Sequence, residues 1–483
     1  MAAETKKYPT QDEALAKARD MMGEDAEAAL RAHIAEIGEE FVDWLADLYV
    51  PRKCSCDNFD ADGNRICELP KDKDGKGLCS GGGFYYCNSA RDNEGYEIDI
   101  ESTVQALRFL QSTGMIHHLD NDLRRALPPQ MQKDVIAFAK SLQDSEDGYF
   151  YHPQWGKKIT PSRLGRDLGW ATGIIRDLGD APFWDTKNGH KGSLGAPSGV
   201  KAAKESEGEV KNATWIEHFR TLEAFDAYLD TFDLAHRSYS WGNNVNAQTG
   251  QLKGREKYGI ETGELIDSDG DGIADDGFIS RLRDKFEREQ NPENGLWQDT
   301  VCYYSVNGLM KISTSYSALG IQFHNAEAAF DSAIEMVLLD ADLADVNGEK
   351  CGASVNIYNP WSAMSAILGN LRKFGDGALA EKLQKKLYAK APELIRATTK
   401  KVKKFKKLDG SFGYTWNCPP ATSQSAPVCP PGIVEGDVNG GTIAITGAWN
   451  PMCSALGVSI PIYNEDTYKR FIERIIKNTG YKF

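Results

Sequence analysis

His152, Arg163, Arg166 and Asp167 fall in one aromatic loop and the start of the helix after it, YFYHPQWGKKITPSRLGRD. An imidazole titrates near neutrality and can move protons. An arginine pair can hold a substrate carboxylate and stabilise the enolate-like charge that builds during β-elimination. The combination points to a lyase acting on a uronic-acid-containing glycan, with His152, Arg166 and Asp167 at the reacting centre. The plain alternative is a surface histidine beside a helix-capping aspartate. Hydrolysis would instead need two carboxylates across the bond. Asp99 or Glu101 could face Glu435 or Asp437, although each also reads as a helix cap.

The sharpest local pattern is Asp267-Ser-Asp269-Gly-Asp271-Gly-Ile273-Ala-Asp275-Asp276. Carboxylates at alternate positions before a tight glycine turn suit a hard cation that wants several oxygens. Calcium is the expected ion, in a structural role, with Asp267, Asp269, Asp271, Ile273 and Asp275 around it. An EF-hand would carry an acidic residue where Phe278 stands, so the stretch is more similar to the DxDxDG loops of extracellular calcium modules. A solvated acidic turn is the alternative.

The loops are rich in flat amphipathic rings that stack on sugar faces, and in amides and guanidinium groups that bond hydroxyls. Tyr151, Trp155, Arg163, Trp241, Asn244, Tyr304, Asn307, Asn359, Trp361, Trp416 and Asn439 are the candidate saccharide contacts. Such a polar load would be costly to desolvate around a hydrocarbon. About half of the aromatic rings are expected in the core instead.

These residues need elements to gather them. Residues 11–49 carry helical periodicity with a break at Gly23. A cysteine-rich excursion follows over 51–90, with a hairpin turn at DADGN. Beyond it, aromatic loops open repeatedly into small-residue helices, the first at Asp99-Ile-Glu101-Ser-Thr103. A strong helix is expected over 213–236, and SYSWGNNVNAQTGQL after it reads as a loop. About six amphipathic helices alternate with about six helices apolar on most faces, which suits an outer cover around a buried inner set. The expected fold is all-α, an (α/α)6 toroid over 91–483, with helices of 1–50 packed on it. An open helical solenoid is the competing architecture.

Three stretches carry a resemblance: Gln143-Asp-Ser-Glu-Asp-Gly-Tyr-Phe, Gln290-Asn-Pro-Glu-Asn-Gly-Leu-Trp and Asp409-Gly-Ser-Phe-Gly. They are similar to the Q-x-x-DG-x-F/W turns linking outer to inner helices in the toroids of terpene cyclases, protein prenyltransferases and several polysaccharide-active enzymes. The resemblance implies a fold and no particular activity. No DxDD opens the first inner helix, which weighs against protonation-driven terpene cyclisation. A non-catalytic carbohydrate-binding toroid is the remaining class.

Composition narrows the partners. The 483 residues carry 70 acidic and 56 basic side chains, a net charge of −14, which repels phosphate backbones. Neither nucleic acid nor a membrane span is expected, and a polysaccharide or oligosaccharide is the expected substrate. Of the ten cysteines, Cys54, Cys56, Cys67, Cys79 and Cys87 are crowded together, while Cys418 and Cys429 bracket a proline-rich loop. Bridged loops in an oxidising compartment, hence a secreted or periplasmic protein, are expected; a zinc site or reduced thiols are the alternatives.

Overall fold

The computed structural model describes residues 8–52, 81–199, 217–339 and 352–483. The described chain is helical. Its strands are two short antiparallel pairs, Tyr49–Val50 with Gly83–Phe84 and Thr422–Ser423 with Ala426–Pro427. The all-α expectation therefore holds. Among the described residues no helix is long and apolar enough to cross a membrane. The expected DADGN hairpin, Cys54, Cys56, Cys67, Cys79 and Cys351 lie outside the described residues.

Near the N-terminus, Gln11–Met22 and Glu24–Ile37 are separate helices, with Gly23 between them at φ 91°. Glu24–Ile37 lies along the long amphipathic helix Gly377–Phe405. The small-residue helices contact one another in succession. Leu234–Thr262 packs on Tyr303–Leu319, that helix on Val355–Phe374, and that one on Ala448–Ala455. The last helical stretch, from Val438–Thr442 through a π turn at Ile443–Gly447, also lies against Ile100–Ser112, which packs on Pro161–Asp177. Amphipathic helices cover the outer sides. Ala326–Leu338 and Gly377–Phe405 pack against Val355–Phe374, Phe278–Glu289 against Leu234–Thr262, and Pro129–Ser141 against Pro161–Asp177. Between the layers the large side chains Trp361, Trp449, Tyr303 and Tyr316 are fully buried, each removal from water being worth roughly 2–3 kcal/mol.

Two expectations are corrected. The helix expected over 213–236 is a 3-10 turn at Glu217–Phe219, the helix Leu222–Asp230 and the first residues of Leu234–Thr262; residues 213–216 lie outside the described residues. The stretch read as an aromatic, Asn-rich loop is part of Leu234–Thr262, which kinks at Arg237. Its small residues serve close packing rather than turning. A Cβ on Gly242 would come within 2.9 Å of Ile312 Cγ1, and one on Gly308 within 2.2 Å of Ser238 Oγ. Glycine and serine on facing sides let these two helices approach where bulkier residues would hold them apart.

The first two repeated turns share one hydrogen-bond spacing, and the third is one residue tighter. Asp144 N–H donates to Tyr149 O at 2.8 Å, Asn291 N–H to Leu296 O at 2.7 Å, and Lys407 N–H to Ser411 O at 2.7 Å. Gln143 and Gln290 each reach forward to the glycine carbonyl, Gly148 at 3.3 Å and Gly295 at 2.7 Å. Gly148, Gly295 and Gly410 all have left-handed φ, at 78°, 68° and 81°. Each turn is also pressed onto another segment: a Cβ would meet Asp185 O at 2.4 Å, Ala329 N at 2.1 Å and Glu40 Cβ at 2.2 Å respectively. Both demands select glycine.

Candidate active site

The site begins at the first small-residue helix. Asp99 caps Ile100–Ser112 by accepting from Ser102 N–H at 3.1 Å, which places Glu101 in the first turn. On the neighbouring helix Pro161–Asp177, capped by Thr160, Arg163 and Asp167 stand one turn apart and pair at 2.7 Å. Arg163 has no exposure and is shared by three carboxylates: Asp167, Glu101 at 3.1 Å, and Asp99. Trp155 lies over its guanidinium carbon at 5.0 Å and closes the remaining side. Ser423, from the short hairpin Thr422–Pro427, donates to Glu101 Oε2 at 2.9 Å. Three buried acids around one buried base leave negative charge in excess. Burial pushes Asp167 up to about 7 against the pull of Arg163. At Asp99 burial is the largest influence and acts upward, but Arg163 and the other groups around it, the Ser102 N–H among them, together hold that carboxyl below the ordinary range.

Arg166 is the open member of this group. Its guanidinium bonds Glu101 Oε1 at 2.9 Å while 39% of the side chain stays exposed. Half-buried phenols from three other elements lie within electrostatic reach of it: Tyr239, Tyr358 and Tyr414. Burial raises all three, Tyr358 to about 12, and Arg166 pulls each of them back down. Lys311 also faces Arg166, and burial followed by that like charge lowers it. Tyr304 meets Tyr239 edge-on at 5.9 Å and lies 3.4 Å from Ser240 Oγ.

The last helical stretch adds a third group. Asp437 caps it, accepting from Gly440 N–H at 2.6 Å and Tyr414 N–H at 2.7 Å. The Tyr86 phenol also bonds it. Burial pushes Asp437 up to about 6, against these donors. A Cβ on Gly440 would lie 2.1 Å from Tyr414 N, so only glycine lets that backbone cross the helix start. Gln105 bridges the first and last helices, bonding Asn439 Oδ1 at 3.1 Å and Glu101 Oε1 at 3.5 Å.

The expected residues divide sharply. Asp99, Glu101, Arg163, Arg166, Asp167, Asp437 and Asn439 come together as just described. His152 lies beside them but is committed to the backbone. Its Nδ1 accepts from Gln154 N–H at 3.1 Å, and Nε2 bonds Ile98 O at 2.8 Å, which fixes the neutral tautomer. Burial lowers it to about 4, and its ring stacks on Trp155 at 4.1 Å. The expected proton-moving imidazole is corrected to a staple that holds loop 150–155 against the start of the first small-residue helix. Tyr151 bonds Asp147 at 2.8 Å instead. Trp361 is core, its indole donating to Thr398 at 2.9 Å. Trp241 stacks on Phe232 at 4.5 Å against the core. Asn244 is exposed on the Leu234–Thr262 helix, and Trp416 is exposed on the loop after the third repeated turn. Asn307 and Asn359 are buried and bond each other at 2.7 Å, and Asn307 also donates to Asn356 at 2.9 Å. Sequence reading missed Tyr86, Gln105, Lys311 and Ser423. Gln105 was readable as lying one turn beyond Glu101; Tyr86 and Ser423 carried no pattern.

Two further expectations concern ligands and thiols. Asp267, Asp269 and Asp271 hold carboxylate oxygens within 4.8 Å of one another, on a loop turned by Gly270 and Gly272. Asp275 turns aside to Ser268 Oγ at 3.0 Å, and Ile273 N–H donates to Asp271 at 2.8 Å. Cys418 and Cys429 are not bridged; both are free thiols. Cys429 Sγ donates to Pro420 O at 3.4 Å.

No family model, curated protein or solved structure matches this chain.

Proposed function

We propose that the chain is an (α/α)6-toroid enzyme that cleaves an acidic polysaccharide or oligosaccharide by β-elimination. A closed ring is supported by the succession of helix neighbours and by Arg166 facing Tyr239. Those two residues, within electrostatic reach of each other, stand on the helices at the two ends of the succession, Pro161–Asp177 and Leu234–Thr262.

The observation that carries the activity is Arg166: a partly open guanidinium, anchored by Glu101, facing Lys311 and three phenols. Arg166 and Lys311 take the uronate carboxylate and offset its charge, which acidifies the proton on the adjacent carbon. A tyrosine, with Tyr239 the foremost candidate, first gives its phenolic proton to solvent beside the two cations and then, as the phenolate, takes the proton from carbon. The resulting enolate charge rests on the carboxylate held by Arg166. The bond to the leaving oxygen then breaks, the tyrosine passes the proton it took to that oxygen and is a phenolate again, and a carbon–carbon double bond remains. Hydrolysis by paired carboxylates is the second reading, favoured by Asp167 and Asp437 holding protons near neutral pH. Asp167, however, gives one oxygen to Arg163, and both oxygens of Asp437 accept from backbone N–H groups.

Calcium at Asp267, Asp269 and Asp271 is proposed as a structural ion, supported by the close set of oxygens. Residence outside the cytosol is proposed with it, because such loops and ten cysteines suit that setting.

Product masses test the reading. After incubation with a panel of uronate polymers, elimination yields ends one water lighter than hydrolysis does. Saturated ends would establish the hydrolase, and binding without products would establish a carbohydrate-binding module.

A further inference from the structure

The loop that delivers Ser423 to Glu101 also carries a cysteine packed against the chain near Tyr86. Cys429 lies in a small apolar cluster with Val428, Tyr86, Cys87 and Ala90, separate from the main core. Cys87 and Cys429 are thus packed in one five-residue cluster, and the neighbouring Cys429 followed by burial holds the Cys87 thiol far above its ordinary range. The flanking backbones are already joined. Val438 N–H donates to Tyr86 O at 2.9 Å, and Glu435 accepts from Ser89 N–H at 3.1 Å. The loop's far side is held by Thr160 Oγ1 donating to Gln424 O at 3.0 Å and Gln154 to Pro427 O at 3.2 Å. Cys418, at the other end of the loop, is the partner that sequence spacing offered.

We infer that Cys87 and Cys429 form a disulfide that clasps the 418–432 loop over the Glu101–Arg163 cluster. The inference does not draw on the proposed reaction. Both thiols are buried, so the bond forms when the loop opens and closes again. With glutathione disulfide as oxidant, one cysteine thiolate attacks it and releases a first glutathione thiolate. The second cysteine then attacks the mixed disulfide and releases the other. Two thiols lose two protons and two electrons, and one small disulfide becomes two thiols. The closed bond adds a covalent tie to the loop that carries Ser423, while reduction leaves that loop held by its hydrogen bonds alone.

The test is a disulfide map of the folded full chain after exposure to glutathione disulfide, alkylation and non-reducing digestion. A peptide pair joining Cys87 to Cys429 is expected, retained in Cys418→Ser and lost in Cys87→Ser. Subtilisin cleavage within 418–432 should slow by about tenfold on oxidation and recover with dithiothreitol. Cys429 joined to Cys418, Cys429 still open to alkylation, or equal cleavage in both states would overturn the inference. The map and the cleavage rates on the unaltered chain decide it even where a variant does not fold.

Discussion

Arg163 and Arg166 stand on the same helix, yet their surroundings give them opposite roles. Arg163 is enclosed by Asp99, Glu101, Asp167 and Trp155, so removing it leaves Asp99 and Asp167 buried without their cation and Glu101 with Arg166 alone. Arg163→Met should cost about 3–5 kcal/mol in urea unfolding, and a loss below about 1 kcal/mol would show the cluster to be solvated. Asp167 gives a signed pH effect. Its folded value lies near 7 and its ordinary value at 3.8, so over that window the folded chain keeps a proton that the unfolded chain has released. Stability from this residue therefore falls as pH rises from about 4 to about 7. His152 and His33, lowered by burial to about 4, act the other way below pH 6.5, so the two variants must be compared directly. Relative to the unaltered chain, Asp167→Asn should gain stability progressively across that window; a pH-independent difference would contradict the assignment. The cluster was legible in part, because Arg163, Arg166 and Asp167 share one helix turn and Asp99 heads another. The role of His152 was not. Nothing in YFYHPQW says that both ring nitrogens meet main-chain groups, since Ile98 comes from a different element.

At the scale of elements, the repeated glycine turns were readable because their spacing encodes local hydrogen bonds. Gly295 combines a left-handed φ with close approach to Ala329, whereas Gly189 has the φ of 87° and open space around it. Gly189→Ala should cost about 1–2 kcal/mol from backbone strain alone. Gly295→Ala should cost roughly 3 kcal/mol or more, because the Cβ meets main chain that must move. Denaturant midpoints compare the two, and equal losses would mean the turn is not pressed onto its neighbouring helix. Leu234–Thr262 was illegible for the opposite reason. Its serines, asparagines and glycines are loop-formers by local preference, and only the partner helix Tyr303–Leu319 makes them a packing face. Asn307, Asn356 and Asn359 follow the same logic: polar residues that read as loop chemistry are bonded to one another between helices.

For the molecule as a whole, the proposed ring explains why residues as distant as Glu101, Arg166, Tyr239, Tyr358, Tyr414 and Asn439 gather in one place. The first and last small-residue helices meet through Gln105 and Asn439. If the acidic loop at 267–276 holds calcium, adding the ion should raise the unfolding midpoint and chelation should lower it, with little change in activity at temperatures well below the midpoint. An unchanged midpoint would remove calcium from the picture. With a net charge of −14, the chain can attract an acidic polymer only through a local cationic spot, and Arg166 with Lys311 is the spot proposed. The decisive measurement is the initial rise in ultraviolet absorbance from unsaturated ends on a uronate polymer, followed for the unaltered chain and for Arg166→Ala. The proposal predicts a steady rise for the first and a rate at least about 100-fold lower for the second, with the unfolding midpoint preserved. Equal rates, or no absorbance from any uronate polymer with the unaltered chain, would contradict it.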